Sequence, residues 1–118
     1  RPLPTVVPGQ PRLHVPVVAD NGGIGSGDVA IWQGTFFPKV LEVPVGKTVV
    51  WHDQATSHTV TSEALKPDGT PLFDSGPDGL RPGQEFAFTF IQPGTYPYYC
   101  RFHGAPGGVG HAGTIVVR

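Results

Sequence analysis

The sequence predicts an all-β domain, a sandwich or barrel of short strands joined by turns. Short runs of Val, Ile, Phe, Thr and Tyr are separated by Pro-Gly and Asp-Gly pairs, which is the pattern of strands and turns. No stretch of ten residues has the periodicity of an amphipathic helix. The chain of 118 residues has the length of one domain rather than two.

Charge and hydropathy restrict the partners that this chain can have. Eight Lys and Arg residues against nine Asp and Glu residues give a formal net charge of -1. A nucleic-acid-binding domain would instead carry a clearly basic face. No apolar run approaches the ~20 residues that a bilayer-spanning helix needs. We therefore expect neither nucleic-acid binding nor a membrane span in this chain, and we expect a monomer.

Residues 1–26 differ in composition from the rest of the chain. Five prolines within the first 16 residues forbid a helix and disfavour a central strand, and residues 21–27 form a glycine-rich loop. Residues 13–15 and 17–18 are candidates for an edge strand, with a plain tether as the alternative. We interpret residues 1–26 as a Pro/Gly-rich N-terminal extension and residues 27–118 as the folded domain.

The strand pattern becomes regular after residue 27. Short runs of strand-forming residues recur at positions 29–32, 40–43, 47–52, 58–61, 85–90, 96–100 and 114–117. Within one of these runs, Phe86, Phe88 and Phe90 occupy alternate positions and therefore share one face, as in a half-buried strand. Residues 62–83 are rich in turn formers and predict only short pieces of structure.

Most aromatic residues and two of the five histidines have a structural interpretation. We expect Trp32, Trp51 and the phenylalanine row to lie in the core rather than to relay electrons. His52 is expected to be exposed on a face of its strand opposite its neighbours. Neither His52 nor His14, which lies in the proline-rich extension, is expected to bind a metal.

The single cysteine and the other three histidines are the candidate chemical residues. Cys100 and His103 form a Cys-x-x-His pair at the end of a strand. His111 follows a glycine-rich spacer, and His58 opens an earlier strand. A lone cysteine is most often an inert core thiol, but a thiolate beside imidazoles is a ligand set for copper or zinc. One Cys and two His with a weak fourth ligand are typical of electron-transfer copper.

Seven collinear segments resemble the plastocyanin-type cupredoxins. They are residues 34–38 (GTFFP), 43–51 (VPVGKTVVW), 57–60 (SHTV), 73–76 (FDSG), 80–86 (LRPGQEF), 93–103 (PGTYPYYCRFH) and 111–117 (HAGTIVV). The resemblance implies a Greek-key β-sandwich of about eight strands with one copper ion at one end, under the loops. It also implies that His58, Cys100 and His103 are the equatorial copper ligands.

The sequence departs from this family pattern at two places near the ligands. The family usually has methionine two residues before the glycine of the last strand, and here that position is His111. We expect His111 to be the fourth ligand; the alternative is that the glycine-rich spacer, residues 104–110, is flexible and lets His111 turn to solvent. The loop between Trp51 and His58 is also about one residue shorter than the common pattern.

The resemblance implies an electron carrier rather than an enzyme. The protein would pass single electrons between redox partner proteins by transient contact, using the Cu(I)/Cu(II) couple. One alternative is a copper site that binds or reacts with nitric oxide, nitrite or peroxide through its altered axial position. Another is metal handling, with zinc as a substitute ion. The start without methionine, the low charge and the resemblance to a secreted family lead us to expect an extracytoplasmic location: periplasmic, secreted, or tethered to a membrane outside the cytoplasm.

Overall fold

The computed structural model describes residues 12–13 and 27–118, and these residues form two β-sheets. Within them lie nine strands: β1 Arg12–Leu13, β2 Asp28–Trp32, β3 Thr35–Phe37, β4 Val40–Val43, β5 Thr48–Asp53, β6 Thr61–Ser62, β7 Gln84–Thr89, β8 Gly94–Ala105 and β9 Val109–Val117. No α-helix occurs in the described part of the chain, so the predicted all-β class is confirmed. In that same part, no helix has the length and hydropathy needed to cross a membrane.

The two sheets have five and four strands. The first has the order β1-β7-β5-β2-β3 and the second the order β4-β9-β8-β6. Two of the pairings, β2 with β5 and β4 with β9, are parallel, and each joins strands that are distant in the chain. The other pairings are antiparallel. The sandwich predicted from the sequence is therefore confirmed.

The core lies between the sheets and is centred on Trp51. Its ring is 5.4 Å from both Phe86 and Tyr98 and 5.6 Å from Phe73, measured between ring centroids. Tyr98 belongs to β8 and Phe86 to β7, so Trp51 joins the inner faces of both sheets. The core placement of Trp51 is confirmed, and its neighbours Phe86 and Phe90 are also fully buried.

Trp32 does not lie in the core, contrary to the prediction. Its side chain is 47% exposed, whereas the preceding residue Ile31 is fully buried. Successive side chains of a strand point to opposite faces, so only one of these two neighbours can face the core. In β2 that residue is Ile31.

His52 is buried rather than exposed, which is also contrary to the prediction. It is on the outer face of β5, but side chains of the two flanking strands cover it. Its Nδ1 lies 3.0 Å from Glu85 Oε2 of β7, and its Nε2 lies 2.8 Å from Asp28 Oδ1 of β2. These polar contacts across the sheet compensate for the burial of the imidazole.

Other strand predictions were correct in position but not in extent. Of residues 58–61, only Thr61 belongs to a strand, while His58 forms an isolated bridge with Leu80. An edge strand exists at Arg12–Leu13 and pairs with β7. The predicted edge residues 14–15 and 17–18, and His14 with them, lie outside the described residues.

Candidate metal centre

The four candidate ligands meet at one end of the sandwich. One ligand-type atom from each of His58, Cys100, His103 and His111 lies within 4.8 Å of all the others. The Cys100 sulfur is 3.8 Å from His58 Nδ1 and 3.5 Å from His103 Nδ1. The grouping predicted from the sequence is therefore present in the fold.

Three different structural elements bring these side chains together. Cys100 and His103 lie on β8 and His111 on β9. The pairing of β8 with β9 is irregular between Tyr99 and Gly104, and irregularities of this kind redirect side chains out of the regular ladder. His58 is fixed by two backbone hydrogen bonds with Leu80, of 3.0 and 2.6 Å.

Burial divides the four side chains into three that are enclosed and one that is not. Cys100 and His58 are fully buried, and His111 is 1% exposed. His103 is exposed. The cluster therefore reaches solvent at the His103 ring while its sulfur is shielded.

The Cys100 sulfur accepts a hydrogen bond from the backbone N–H of Thr59, at 3.3 Å. The Thr59 hydroxyl oxygen in turn accepts from the backbone N–H of Arg101, at 2.7 Å. Hydrogen bonding around the sulfur is one of the features that tune a copper–thiolate site. Thr59 was not singled out from the sequence, although its position directly after His58 was the available signal.

The contacts of His111 are chiefly with other rings. Its imidazole stacks on Phe36 with 4.2 Å between centroids and meets His58 edge-on at 4.7 Å. Neither of its ring nitrogens makes a hydrogen bond of normal geometry within the described residues. A buried polar atom without a partner is costly, and a metal ion at the centre of the cluster would provide one. The donor set therefore fits a metal.

The spacer before His111 is a β-hairpin rather than the flexible loop that was the alternative. Gly104 pairs with Gly110 and Ala105 with Val109, which leaves a three-residue tip. A Cβ at Gly104 would lie 2.5 Å from the His111 carbonyl oxygen, so the two strands approach more closely than other residues permit. The tip is tied by the backbone N–H of Gly107, which donates to a Glu63 carboxylate oxygen at 2.8 Å.

Burial keeps the buried histidines in the form that binds metals. It lowers the pKa of His58 from 6.5 to about 4, with further lowering by the nearby His111 and His103. Burial also lowers the pKa of His111, and a hydrogen-bonding interaction with the backbone of Thr35 offsets part of this lowering. Neutral imidazole is the metal-binding form, so the metal need not displace a proton from these rings near neutral pH.

Comparison with known proteins agrees with this geometry. The family described as copper-binding proteins of the plastocyanin/azurin family matches residues 26–118. A chloroplastic plastocyanin from Physcomitrium patens is 31% identical over 102 residues, which are 83% of this chain and 53% of the plastocyanin; the chain thus spans about half of that relative's length.

Two solved structures are similar over most of the chain. A purple cupredoxin from Nitrosopumilus maritimus is 29% identical with a TM-score of 0.60, covering 79% of this chain and 100% of that one. The oxidised state of a proline-to-alanine variant of amicyanin is 29% identical with a TM-score of 0.68, covering 97% of each chain. The family matches residues 26–118, which include the four-residue cluster, and the chain therefore belongs to the plastocyanin/azurin family of copper-binding proteins.

Proposed function

We propose that this protein binds one copper ion through His58, Cys100, His103 and His111, and that it transfers single electrons between redox partners. The observation that carries the proposal is the convergence of one thiol and three imidazoles within 4.8 Å. Bound copper would supply a one-electron couple between Cu(I) and Cu(II). Cys100, His103 and His111 lie on paired strands and His58 is held by its bridge to Leu80, so we expect the ligand positions to change little between the two oxidation states.

His103 is the route by which a partner would reach the site. It is the exposed member of the cluster, and two exposed apolar side chains lie on the same hairpin: Phe102, next to it in the chain, is 48% exposed, and Val109, on the facing strand, is 59% exposed. Exposed apolar side chains beside the one exposed ligand suit the small and transient contacts that redox proteins make. The protein would act as a monomer in such contacts.

A second candidate function is the binding of a small molecule at the copper. The exposure of His103 favours it, because that ring is the part of the ligand set that solvent reaches. His111 also replaces a thioether with a nitrogen donor, and the existence of a purple cupredoxin among the relatives supports a site whose colour is not purely blue.

The proposed function is tested by loading the protein with Cu(II) and recording its visible and electron paramagnetic resonance spectra. One equivalent of copper, an intense sulfur-to-copper absorption and reversible bleaching by a one-electron reductant are expected. A spectrum changed by azide or nitrite would favour the second function. Preferential retention of zinc, without colour, would contradict both.

The partner surface needs a separate test. Phe102→Ala should slow electron exchange with a small redox protein while leaving the copper spectrum intact. Val45→Ala is the matched control, because Val45 is 45% exposed and lies far from the cluster. Its backbone N–H donates to the carbonyl oxygen of Arg118, which follows the end of β9 opposite to His111. That end is ~20 Å away at the rise of a strand. Equal rates for both variants would exclude the surface around His103.

We further propose that the protein works outside the cytoplasm. The resemblance of its sequence to a secreted family supports this location. The test is the location of the native gene product in fractionated cells. Recovery of the copper-loaded protein in the cytosolic fraction would contradict this assignment.

A further inference from the structure

Nε2 of His58, the ring nitrogen that faces away from Cys100, contacts the side chain of Thr56, which is not one of the candidate ligands. Thr56 Oγ1 lies 3.0 Å from His58 Nε2. The other ring nitrogen, Nδ1, faces the Cys100 sulfur at 3.8 Å. The two nitrogens therefore have different environments, with the cluster on the side of Nδ1 and the Thr56 hydroxyl at Nε2. The backbone of Ala55 also interacts with the ring and acts to raise the pKa of His58, but the Thr56 hydroxyl is the side chain within hydrogen-bond distance.

Thr56 has an unusual backbone conformation. Its φ is +42°, and it is the one non-glycine residue with positive φ in the described part of the chain. Left-handed conformations are unfavourable for residues with a Cβ and especially for β-branched ones such as threonine. A strained residue of this kind is retained only where the surrounding structure holds it, and such residues concentrate at functional sites.

The surrounding loop explains how the strain is maintained. Asp53 accepts a hydrogen bond from the N–H of Ala55, at 3.0 Å, at one end of the loop. At the other end of the loop, the backbone of His58 makes two hydrogen bonds with the backbone of Leu80. Only four residues connect the end of β5 to His58, and this is the loop that the sequence shows to be short. Because the loop is short and fixed at both ends, Thr56 adopts the left-handed conformation, and its hydroxyl then lies beside the His58 ring.

We propose that Thr56 is a positioning residue for His58 and fixes its tautomer. The hydroxyl oxygen accepts the Nε2–H of the neutral imidazole, which leaves the Nδ1 lone pair directed at the cluster. A metal-bound histidine generally donates its other ring N–H to a partner that sets its orientation and its strength as a ligand. The relevance to copper rests on the proposed function, whereas the tautomer is a property of the metal-free protein.

Three substitutions separate the hydroxyl from the shape of the residue. Thr56→Val keeps the β-branched shape and removes the hydroxyl. Thr56→Gly removes the hydroxyl and the strain together, so it covers the case in which the valine variant folds poorly. Thr56→Ser restores a hydroxyl and serves as the rescue. Each is studied metal-free by nitrogen-15 NMR of the histidine rings and by Cu(II) competition with a chelator.

The expected result is a single Nε2–H tautomer at His58 in the wild type and in Thr56→Ser, and a mixture in the other two variants. The Cu(II) dissociation constant should rise about tenfold in Thr56→Val and Thr56→Gly and stay within about threefold in Thr56→Ser. An unchanged tautomer and unchanged affinity in both hydroxyl-free variants would overturn the proposal. Failure of the wild type to bind copper would instead overturn the proposed function, and the NMR result would still decide the role of Thr56.

Discussion

The ring of Phe36 lies against the imidazole of His111, with centroids 4.2 Å apart and planes inclined by 30°. Phe36 is fully buried on β3, in the five-stranded sheet, while His111 is on β9 in the four-stranded sheet. The orientation of His111 is therefore determined by packing between the two sheets. The fourth candidate ligand is therefore packed in the interior, between the two sheets, rather than on a surface loop.

His111→Met tests whether this histidine binds the copper. Imidazole is a harder and stronger donor than a thioether and stabilises Cu(II) relative to Cu(I). The methionine variant should therefore be bluer, and its reduction potential should rise by at least about 59 mV, a tenfold change in the equilibrium constant for one electron. Spectroscopy and voltammetry on both proteins provide the measurement. An unchanged spectrum with potentials within about 20 mV would mean that His111 does not touch the metal.

Cys100→Ser should abolish the intense visible absorption of the Cu(II) protein and preserve the fold. Serine is close to cysteine in size, and its oxygen can still accept the hydrogen bond from the Thr59 N–H that now reaches the sulfur. It offers no thiolate for charge transfer to copper. Absorption and circular dichroism spectra check the two halves of this expectation. A strongly coloured variant would show that another group is the chromophore.

Gly104→Ala should weaken copper binding by distorting the hairpin that carries His111. The added Cβ would lie 2.5 Å from the carbonyl oxygen and 2.8 Å from the amide nitrogen of His111, and backbone atoms cannot move aside as a flexible side chain can. Gly108→Asn is the control, because position 108 has open space around it and asparagine tolerates its φ of +79°. Copper affinity and the Cu(II) paramagnetic resonance spectrum are measured for both. Equal effects at the two positions would contradict the steric argument.

Asp53→Asn should change how stability depends on pH. Burial raises the pKa of Asp53 from 3.8 to about 7, because Oδ2 is enclosed without a hydrogen-bond partner in the described residues. The folded protein thus binds this proton more tightly than the unfolded chain. The stabilising contribution of protonated Asp53 to the free energy of unfolding is complete below about pH 4, and it is lost as the pH rises through about 7.

Asparagine keeps the oxygen that accepts from the Ala55 N–H and does not titrate. The variant should therefore be more stable than the wild type at pH 8, and its stability should depend less on pH between 4 and 7. Denaturant unfolding of the metal-free proteins measures this. Asp68→Asn is the control, since hydrogen bonds from Thr70 lower the pKa of that exposed carboxyl and its replacement should not stabilise at pH 8. Parallel stability profiles for wild type and Asp53→Asn would contradict the assignment.

The sequence predicted the ligand cluster better than it predicted the surroundings of the cluster. Cys100 and His103 are three residues apart, and the segments that resemble the family fix the place of His58 in the same fold. The environment of His52 depends instead on Asp28 and Glu85, which reach it from strands distant in the chain. Such contacts leave no local pattern in a single sequence.

The misplacement of Trp32 has a related cause. Alternation along β2 shows that Ile31 and Trp32 face opposite ways, but it does not say which way is inward. The glycines of the spacer left a flexible loop open as the alternative, because glycine is common in loops. In the fold, Gly104 and Gly110 instead allow two strands to approach closely, which only the pairing of β8 with β9 reveals.

The β8–β9 hairpin also affects how the metal centre forms as the chain folds. It carries Cys100, His103 and His111, which are close in the chain, whereas His58 precedes Cys100 by 42 residues. Contacts between distant parts of a chain close more slowly than local ones, so the ligand set is completed only when the segment of His58 docks beside the hairpin. We therefore expect colour to develop after hydrophobic collapse when the unfolded chain is diluted into Cu(II), which makes the copper band a kinetic marker for the docking of this segment.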